Sequence, residues 1–474
     1  MSNEIAEVKT PAATYRGVKL SNGSAEFRGI RFATAGRFQA PTDANENGIV
    51  DAMEYKPICP QLPGSLETMV GVVEEMNEDC HFLNVYTPSS ASTTTKLPVL
   101  VWIHGGAYTN GSGSLSWYNG TSLASRDCIV VTVNYRLGIF GFLGNSNLGT
   151  QDMVSSLRWV NKNISAFGGD PSNVTIFGES AGGSAVISLM ACDAAKSLFH
   201  KVWAFSPSIG QLRDQASAEH WLQQNLSTAK VASVEELATK STEELLEVQK
   251  QVITMTSKNF DMYSPTAAGT LLDADILGRA ASDKRPLVIG TNRDENKLWS
   301  AFDTSLDSAP RDHWVDFAKN AFGDRADAAI SAYESLRPGE SVKNLCSAVQ
   351  TDTSFRSRAI SLAEQRADSQ SPTWMYWFTW QSPAFGGILG CCHALDIPFA
   401  FDNLHQDGAE LFTGNGDERQ AIARNFADFA AGFASTSEAK WAQYNTATRT
   451  TMVIDAECST VNDPESPIRL LFAK

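Results

Sequence analysis

A short apolar run, Asn173 to Phe177 (NVTIF), leads without a spacer into Gly178-Glu179-Ser180-Ala181-Gly182 and then into the small residues Gly183-Ser184-Ala185-Val186. A strand that becomes a helix over so few residues must turn sharply, and glycines on both sides of the central serine leave room for neighbouring backbone. Such a turn belongs at the edge of an α/β sheet. It pushes the serine hydroxyl into the open at a helix N-terminus, where amide groups and the helix dipole favour developing negative charge. Ser180 is thus a candidate nucleophile, the alternative being a glycine-rich turn without chemistry.

The rest of the chain is patterned to match. The segments 97–103 (LPVLVWI), 128–134 (CIVVTVN), 173–177, 201–205 (KVWAF), 286–290 (PLVIG) and 373–378 (TWMYWF) are short, rich in β-branched or aromatic residues and bounded by turn residues, which predicts buried strands. Helical patterns lie between them, such as 149–167 with Met153, Leu157, Val160 and Ile164 on one face. Strand and helix alternating in this way predict an α/β fold with a mostly parallel central sheet flanked by helices. No repeat interrupts the chain, so residues 1–474 are expected to form one domain. The charged, helical stretch at about 211–260 contains no strand candidate. It is expected either as a helical excursion near the mouth of the site or as a solvated surface pair.

Composition removes several functions. A net charge of -15, with no Lys/Arg-rich run, disfavours nucleic acid and anionic membrane as partners. No segment reaches the roughly 18 uninterrupted apolar residues of a spanning helix, and the N-terminal residues lack the basic and apolar parts of an export signal. A cytoplasmic protein is expected. The eight cysteines show no CxxC or Cys/His spacing for zinc, so neither a metal nor another cofactor is predicted, and the adjacent Cys391 and Cys392 read as small buried thiols.

A serine hydroxyl needs a base, and acyl transfer needs donors for the oxyanion. Trp102-Ile103-His104-Gly105-Gly106-Ala107-Tyr108 follows a predicted strand. With Gly105 leaving room, the amides of Gly106 and Ala107 join that of Ala181, which follows the nucleophile, as a three-donor oxyanion hole. His104 itself reads as a structural hydrogen-bonder. Among the seven histidines, His393 lies in a Gly-rich loop after a predicted strand (GGILGCCHALDIPF), whereas His405 lies in a polar stretch, so His393 is the better base. Asp294 and Glu295 both follow the strand PLVIG at the sheet edge where ligands gather, and spacing does not choose between them.

With these residues in place, the chain resembles the type B carboxylesterase and cholinesterase family, in particular its bacterial or fungal non-secreted members. FRGIRFA, RFQAP, EDCHFLNVYTP, WIHGGAY, VNYRLGIFGF, FGGDPSNVTIFGESAGG, GTNRDE, TDTSFR and HALDIPFAF stand in family order along most of the chain. The resemblance implies the α/β-hydrolase fold, Glu295 as the acid of the triad, His393 as its base, and Glu179 as an electrostatic support. It also implies a helper serine at Ser206 that bonds to the acid, although Phe205-Ser206-Pro207 replaces the family's Gln-Ser-Gly. Cys59 and Cys80 match the family's first disulfide and are expected as thiols in a reducing compartment.

The expected function is hydrolysis of small-molecule esters of primary or aryl alcohols through an acyl-enzyme. An amidase or carbamate hydrolase on the same triad, or a catalytically silent binding protein, are the alternatives. Choline esters are disfavoured because residues 59–80 contain no aromatic side chain. No large exposed apolar patch is evident from the sequence. The rate is expected to rise through a near-neutral pKa of His393. Ala107 stands where more permissive family members carry a third glycine, so it is expected to avoid positive φ and to exclude bulky tertiary alcohols.

Overall fold

All six segments expected as strands form strands in the computed structural model, which describes residues 4–64, 68, 74–255, 261–267 and 271–473. A seventh, late in the chain, joins them. In chain order the parallel strands are β1 (Leu97–Ile103), β2 (Ile129–Val133), β3 (Gly169–Glu179), β4 (Lys201–Phe205), β5 (Leu287–Asn292), β6 (Thr373–Phe378) and β7 (Thr450–Ile454). They lie in the order β2-β1-β3-β4-β5-β6-β7, each parallel to its neighbour. β3 is longer than its apolar run and shifts register between Gly169 and Val174.

Alternate residues of a strand point to opposite faces, and here both faces are buried, as a parallel sheet requires. Val99, Val101, Ile103, Val131, Ile176 and Ile289 enter one core. Their neighbours Leu100, Trp102, Val130, Phe177, Trp203 and Tyr376 enter the other, which is mostly aromatic. Each such side chain contributes about 1.5–3 kcal/mol on burial, so a one-residue slip of register would exchange two cores of different shape.

Antiparallel strands extend the sheet on both sides. Phe82–Thr87 pairs with β2 and is followed outward by Ala25–Arg31, Ala13–Lys19 and Glu4–Lys9, while Ser459–Asn462 pairs with β7. The helix expected at 149–167 runs from Leu148 to Asn163 and ends in a 3-10 turn, Ile164–Phe167. The excursion comprises helices Gln215–Ala229, Val234–Leu237 and Thr242–Thr254. Asp214, Ser233 and Ser241 cap their N-termini, Ser241 in a reciprocal box with Glu244. Arg37 Nη1 donates to Ala238 O (2.9 Å), and Gln249 Oε1 accepts from Ile139 N (2.8 Å), which ties the excursion to the turn at Arg37 and to the short helix Gly138–Phe142. Its residues 256–260 lie outside the described residues, as do 65–67 and 69–73 of the loop between Cys59 and Cys80.

Cys59 and Cys80 are buried free thiols, and Cys59 Sγ accepts the Leu137 amide at 3.2 Å. Cys391 and Cys392 are buried thiols too. Among the described residues no helix is long and apolar enough to cross a membrane.

Candidate active site

The loops after the carboxyl ends of β1, β3, β4, β5 and β6 carry the candidate residues. β1 lies between β2 and β3, so the chain reverses its direction of winding there and opens a crevice beyond the strand ends. Ser180 stands at that point. It begins the helix Ala181–Met190 with φ 59° and ψ -120°, a conformation unfavourable for a side chain and held by the tight turn. The turn needs its glycines. A Cβ on Gly182 would lie 2.1 Å from Ile103 O, and one on Gly178 would lie 2.5 Å from the same atom. The Ser180 amide donates to Phe205 O (3.0 Å), and its half-buried hydroxyl hydrogen-bonds with Ser208 Oγ at 3.4 Å.

The loop after β6 brings His393 onto Glu295, which follows β5. His393 Nδ1 donates to Glu295 Oε2 at 2.6 Å, and the His393 amide donates to Glu295 O at 3.1 Å. Glu295 Oε1 accepts the Asn292 amide at 2.7 Å, so both carboxylate oxygens are held. The other ring nitrogen, Nε2, lies 3.1 Å from Glu179 Oε1 without hydrogen-bond alignment, and it has no hydrogen-bond partner among the described residues. Burial opposes a charge on this ring, but the negative charges of Glu179 and Glu295 prevail and raise its pKa to about 9. The near-neutral value expected from the sequence is thereby corrected upward: a buried imidazole between two carboxylates keeps its proton longer than a solvated one.

Asp294 turns away from this cluster. Arg337 Nη1 donates to its Oδ1 (2.8 Å) and the Cys391 amide to its Oδ2 (3.2 Å), while Lys297 and Arg337 overcome burial and hold its pKa below the usual carboxylate range. The choice that spacing left open is made by which carboxylate reaches the imidazole, and that is Glu295. His405 is exposed, beside Gln406. His104 is buried, stacked on Tyr135 with ring centroids 4.4 Å apart, and burial lowers its pKa to about 4.

Glu179 is buried, and burial pushes its pKa above the carboxylate range despite the nearby imidazole. Asp396, three residues after His393, is buried and raised to about 7 by burial and by the Glu295 charge; Tyr376 OH donates to it at 3.1 Å.

In the loop after β1, Gly106 has φ 98°, and a Cβ there would lie 2.0 Å from Asn110 O. Gly105 packs against the turn at Ser180, where a Cβ would meet Glu179 O at 2.7 Å. Ala107 has φ 53°, contrary to the expectation that alanine would avoid that region. The strain of such a conformation is about 1–3 kcal/mol, and Gln211 Nε2 restrains the residue by donating to Ala107 O at 3.2 Å. Among the described residues, the amides of Gly106, Ala107 and Ala181 donate to no acceptor.

Ser206 corrects a third expectation. It is fully buried at φ 38°, and its hydroxyl has no partner among the described residues, so the expected bond to Glu295 is not made. The Asn292 amide, not Ser206, donates to Glu295 Oε1.

An aromatic wall stands beside the imidazole. Phe355 and Trp299 lie 4.7 and 5.0 Å from the His393 ring and stack on each other, with Trp299 50% exposed. Phe302 and Phe385, each more than half exposed, meet edge to face 5.4 Å apart. The sequence revealed no such exposed apolar residues, because Trp299 sits in the one-turn helix Lys297–Ser300 and Phe302 in the turn after it, with no periodicity to show which side faces water. Ser208, Gln211 and Asn292 were likewise missed: serine and amide side chains in loops carry no local signal. Asp396 had one, since HALDIPF places it three residues from His393.

A hydroxyl at a strained strand-to-helix turn, an imidazole oriented by a carboxylate and free amides on a glycine loop are the groups that acyl transfer requires. The profile of the carboxylesterase family matches residues 4–467. Para-nitrobenzyl esterase of Bacillus subtilis is 34% identical over 94% of this chain and 94% of its own length. Phenmedipham hydrolase of Pseudarthrobacter oxydans is 31% identical over 85% of this chain and 84% of its own. A solved structure of a PNB esterase superposes with a TM-score of 0.86 at 33% identity, covering 100% of both chains. The chain belongs to the carboxylesterase family, with the α/β-hydrolase fold. It is a carboxylic ester hydrolase, a serine carboxylesterase.

Proposed function

We propose that Ser180 Oγ attacks the ester carbonyl while His393 Nε2 takes its proton and returns it to the leaving alcohol, and that water clears the acyl-enzyme by the same steps in reverse. The observation that carries this reading is the 2.6 Å contact from His393 Nδ1 to Glu295 Oε2, which fixes the tautomer and leaves Nε2 open as the base. The Ser180 O–H directs its proton to Nε2 as the substrate binds. The amides of Gly106, Ala107 and Ala181 take the oxyanion, each worth roughly 3 kcal/mol in the transition state. Glu179 stabilises the imidazolium without entering the triad.

The substrates in this reading are small-molecule esters of primary or aryl alcohols. The Trp299–Phe355 stack gives an aromatic group a face beside the base, and the name of the para-nitrobenzyl esterase relative points the same way. The helical excursion borders the mouth, since Gln211 at its start reaches Ala107. A cytoplasmic setting, with Cys59 and Cys80 as neighbouring thiols, is part of the proposal. A serine-directed phosphonate should label Ser180 and abolish hydrolysis of nitrophenyl acetate and butyrate. Peptide mass mapping that finds the label on another residue, or full activity after complete labelling, would refute the reading.

Ala107 narrows the space beside the scissile carbonyl, so ethyl acetate should be hydrolysed and tert-butyl acetate hardly at all. Its left-handed backbone is one that glycine adopts freely, so Ala107→Gly is expected to fold. It should gain about tenfold or more on the tertiary ester, equivalent to about 1.4 kcal/mol of barrier. Equal rates on both esters in the unaltered enzyme would exclude Ala107 as the limit.

A further inference from the structure

The serine that touches the nucleophile is neither in the triad nor the one expected from the sequence. Pro207 follows Ser206 and bends the chain into a tight turn in which the Ile209 amide donates to Pro207 O (2.7 Å) and the Gln211 amide to Ser208 O (2.9 Å). This turn reaches both halves of the site. On one side, the Ser208 amide donates to Ser180 O at 3.2 Å and its partly exposed hydroxyl lies 3.4 Å from Ser180 Oγ. On the other, Gln211 Nε2 donates to Ala107 O at 3.2 Å. Arg358 Nη1, donating to Ile209 O, and Arg213, donating to Met262 O at 2.6 Å and Phe142 O at 2.7 Å, anchor the turn to the body of the protein.

We infer that the Pro207–Gln211 turn positions the acyl-transfer site, Ser208 holding the nucleophile hydroxyl and Gln211 holding the oxyanion loop in its strained conformation. The inference rests on Ser180 being the nucleophile. Each contact has a physical task. Ser180 Oγ gives its proton to the base during attack, so the compatible arrangement has the Ser208 O–H donating to a lone pair of Ser180 Oγ, which limits side-chain rotation without competing for His393. The Ala107 carbonyl belongs to the peptide beyond the two donor amides, so its bond to Gln211 opposes relaxation of φ away from 53°. Preorganised donors of this kind need no reorganisation during the reaction. Ser206, buried without a partner, has no such path to the reacting atoms.

The test compares Ser208→Ala, Ser208→Thr, Gln211→Ala and Ser206→Ala with the unaltered enzyme and with Ser180→Ala, using thermal melting to confirm folding. Ser208→Ala should slow both phosphonate labelling and kcat on nitrophenyl acetate about tenfold with KM little changed, and Ser208→Thr should restore most of the loss, as expected for one lost hydrogen bond near the reacting atom. Gln211→Ala should weaken binding of a trifluoromethyl ketone, which forms the oxyanion, about tenfold while leaving binding of a non-reacting amide analogue unchanged. Ser206→Ala should stay within about twofold of the unaltered rate. Labelling within twofold of normal in Ser208→Ala, or parallel weakening of both analogues in Gln211→Ala, overturns the inference while Ser180→Ala remains unlabelled. If Ser180→Ala is labelled and active, the nucleophile assignment itself has failed.

Discussion

Ser180→Ala is expected to lower kcat on nitrophenyl esters by roughly 10⁴- to 10⁶-fold, because members of one catalytic unit fail together. The structure gives reasons to expect that loss without unfolding. Ser180 is half-buried at a helix start, and its amide bond to Phe205 O does not depend on the side chain. An alanine at φ 59° suffers the same backbone strain that serine already bears. His393→Ala should lose a similar factor, and the double variant no more than the worse single one. A residual rate roughly 10³-fold above water is expected from the oxyanion amides alone. The measurement is single-turnover kinetics with melting curves for each variant. Near-normal turnover by folded Ser180→Ala would remove it from the mechanism.

The rate of the unaltered enzyme should still be climbing above neutral pH. In the proposed mechanism the base works only as neutral imidazole, and although burial opposes the charge, the neighbouring Glu179 and Glu295 carboxyl groups hold the proton on His393 up to a pKa of about 9. Log kcat/KM should therefore keep rising with pH through neutrality rather than levelling off there. Glu179→Gln removes one of the two charges, and its effects have opposite signs. The inflection should move to lower pH, because the imidazolium loses a partner. The plateau above the inflection should fall, because the same charge stabilises the imidazolium formed during attack. A profile already flat at neutral pH in the unaltered enzyme, or an inflection unmoved in Glu179→Gln, would show that these carboxylates do not tune the base.

Much of this protein was open to a reading of its sequence because the relevant physics is local. Short continuous apolar runs bounded by turn residues marked β1 to β6, and the turn at Gly178 to Gly182 required its glycines for contacts that reappear as backbone within 2.5 Å of a missing Cβ. His393 stood out because its Gly-rich loop follows a strand. The antiparallel flanks were not visible in this way: Glu4–Lys9 is largely exposed, and its pairing with Ala13–Lys19 is made by the hydrogen-bond ladder rather than by an apolar stripe.

What only the tertiary structure decided are the contacts between loops that are distant in sequence. Adjacent carboxylates look alike in a sequence, and the difference between Asp294 on Arg337 and Glu295 on His393 arises when the loops after β5 and β6 meet. The raised pKa of His393 required knowing that Glu179 lies 3.1 Å away across the cleft and that both are buried, since charges act through distance and dielectric rather than through sequence separation. Ser208 and Gln211 became visible for the same reason. A hydroxyl or amide in a turn has no periodicity, and its role is set by the direction in which the turn's backbone aims it. The sequence by itself determined six parallel strands, the turn at Ser180 and the inventory of groups; packing determined which of them touch, with what charge and in what orientation.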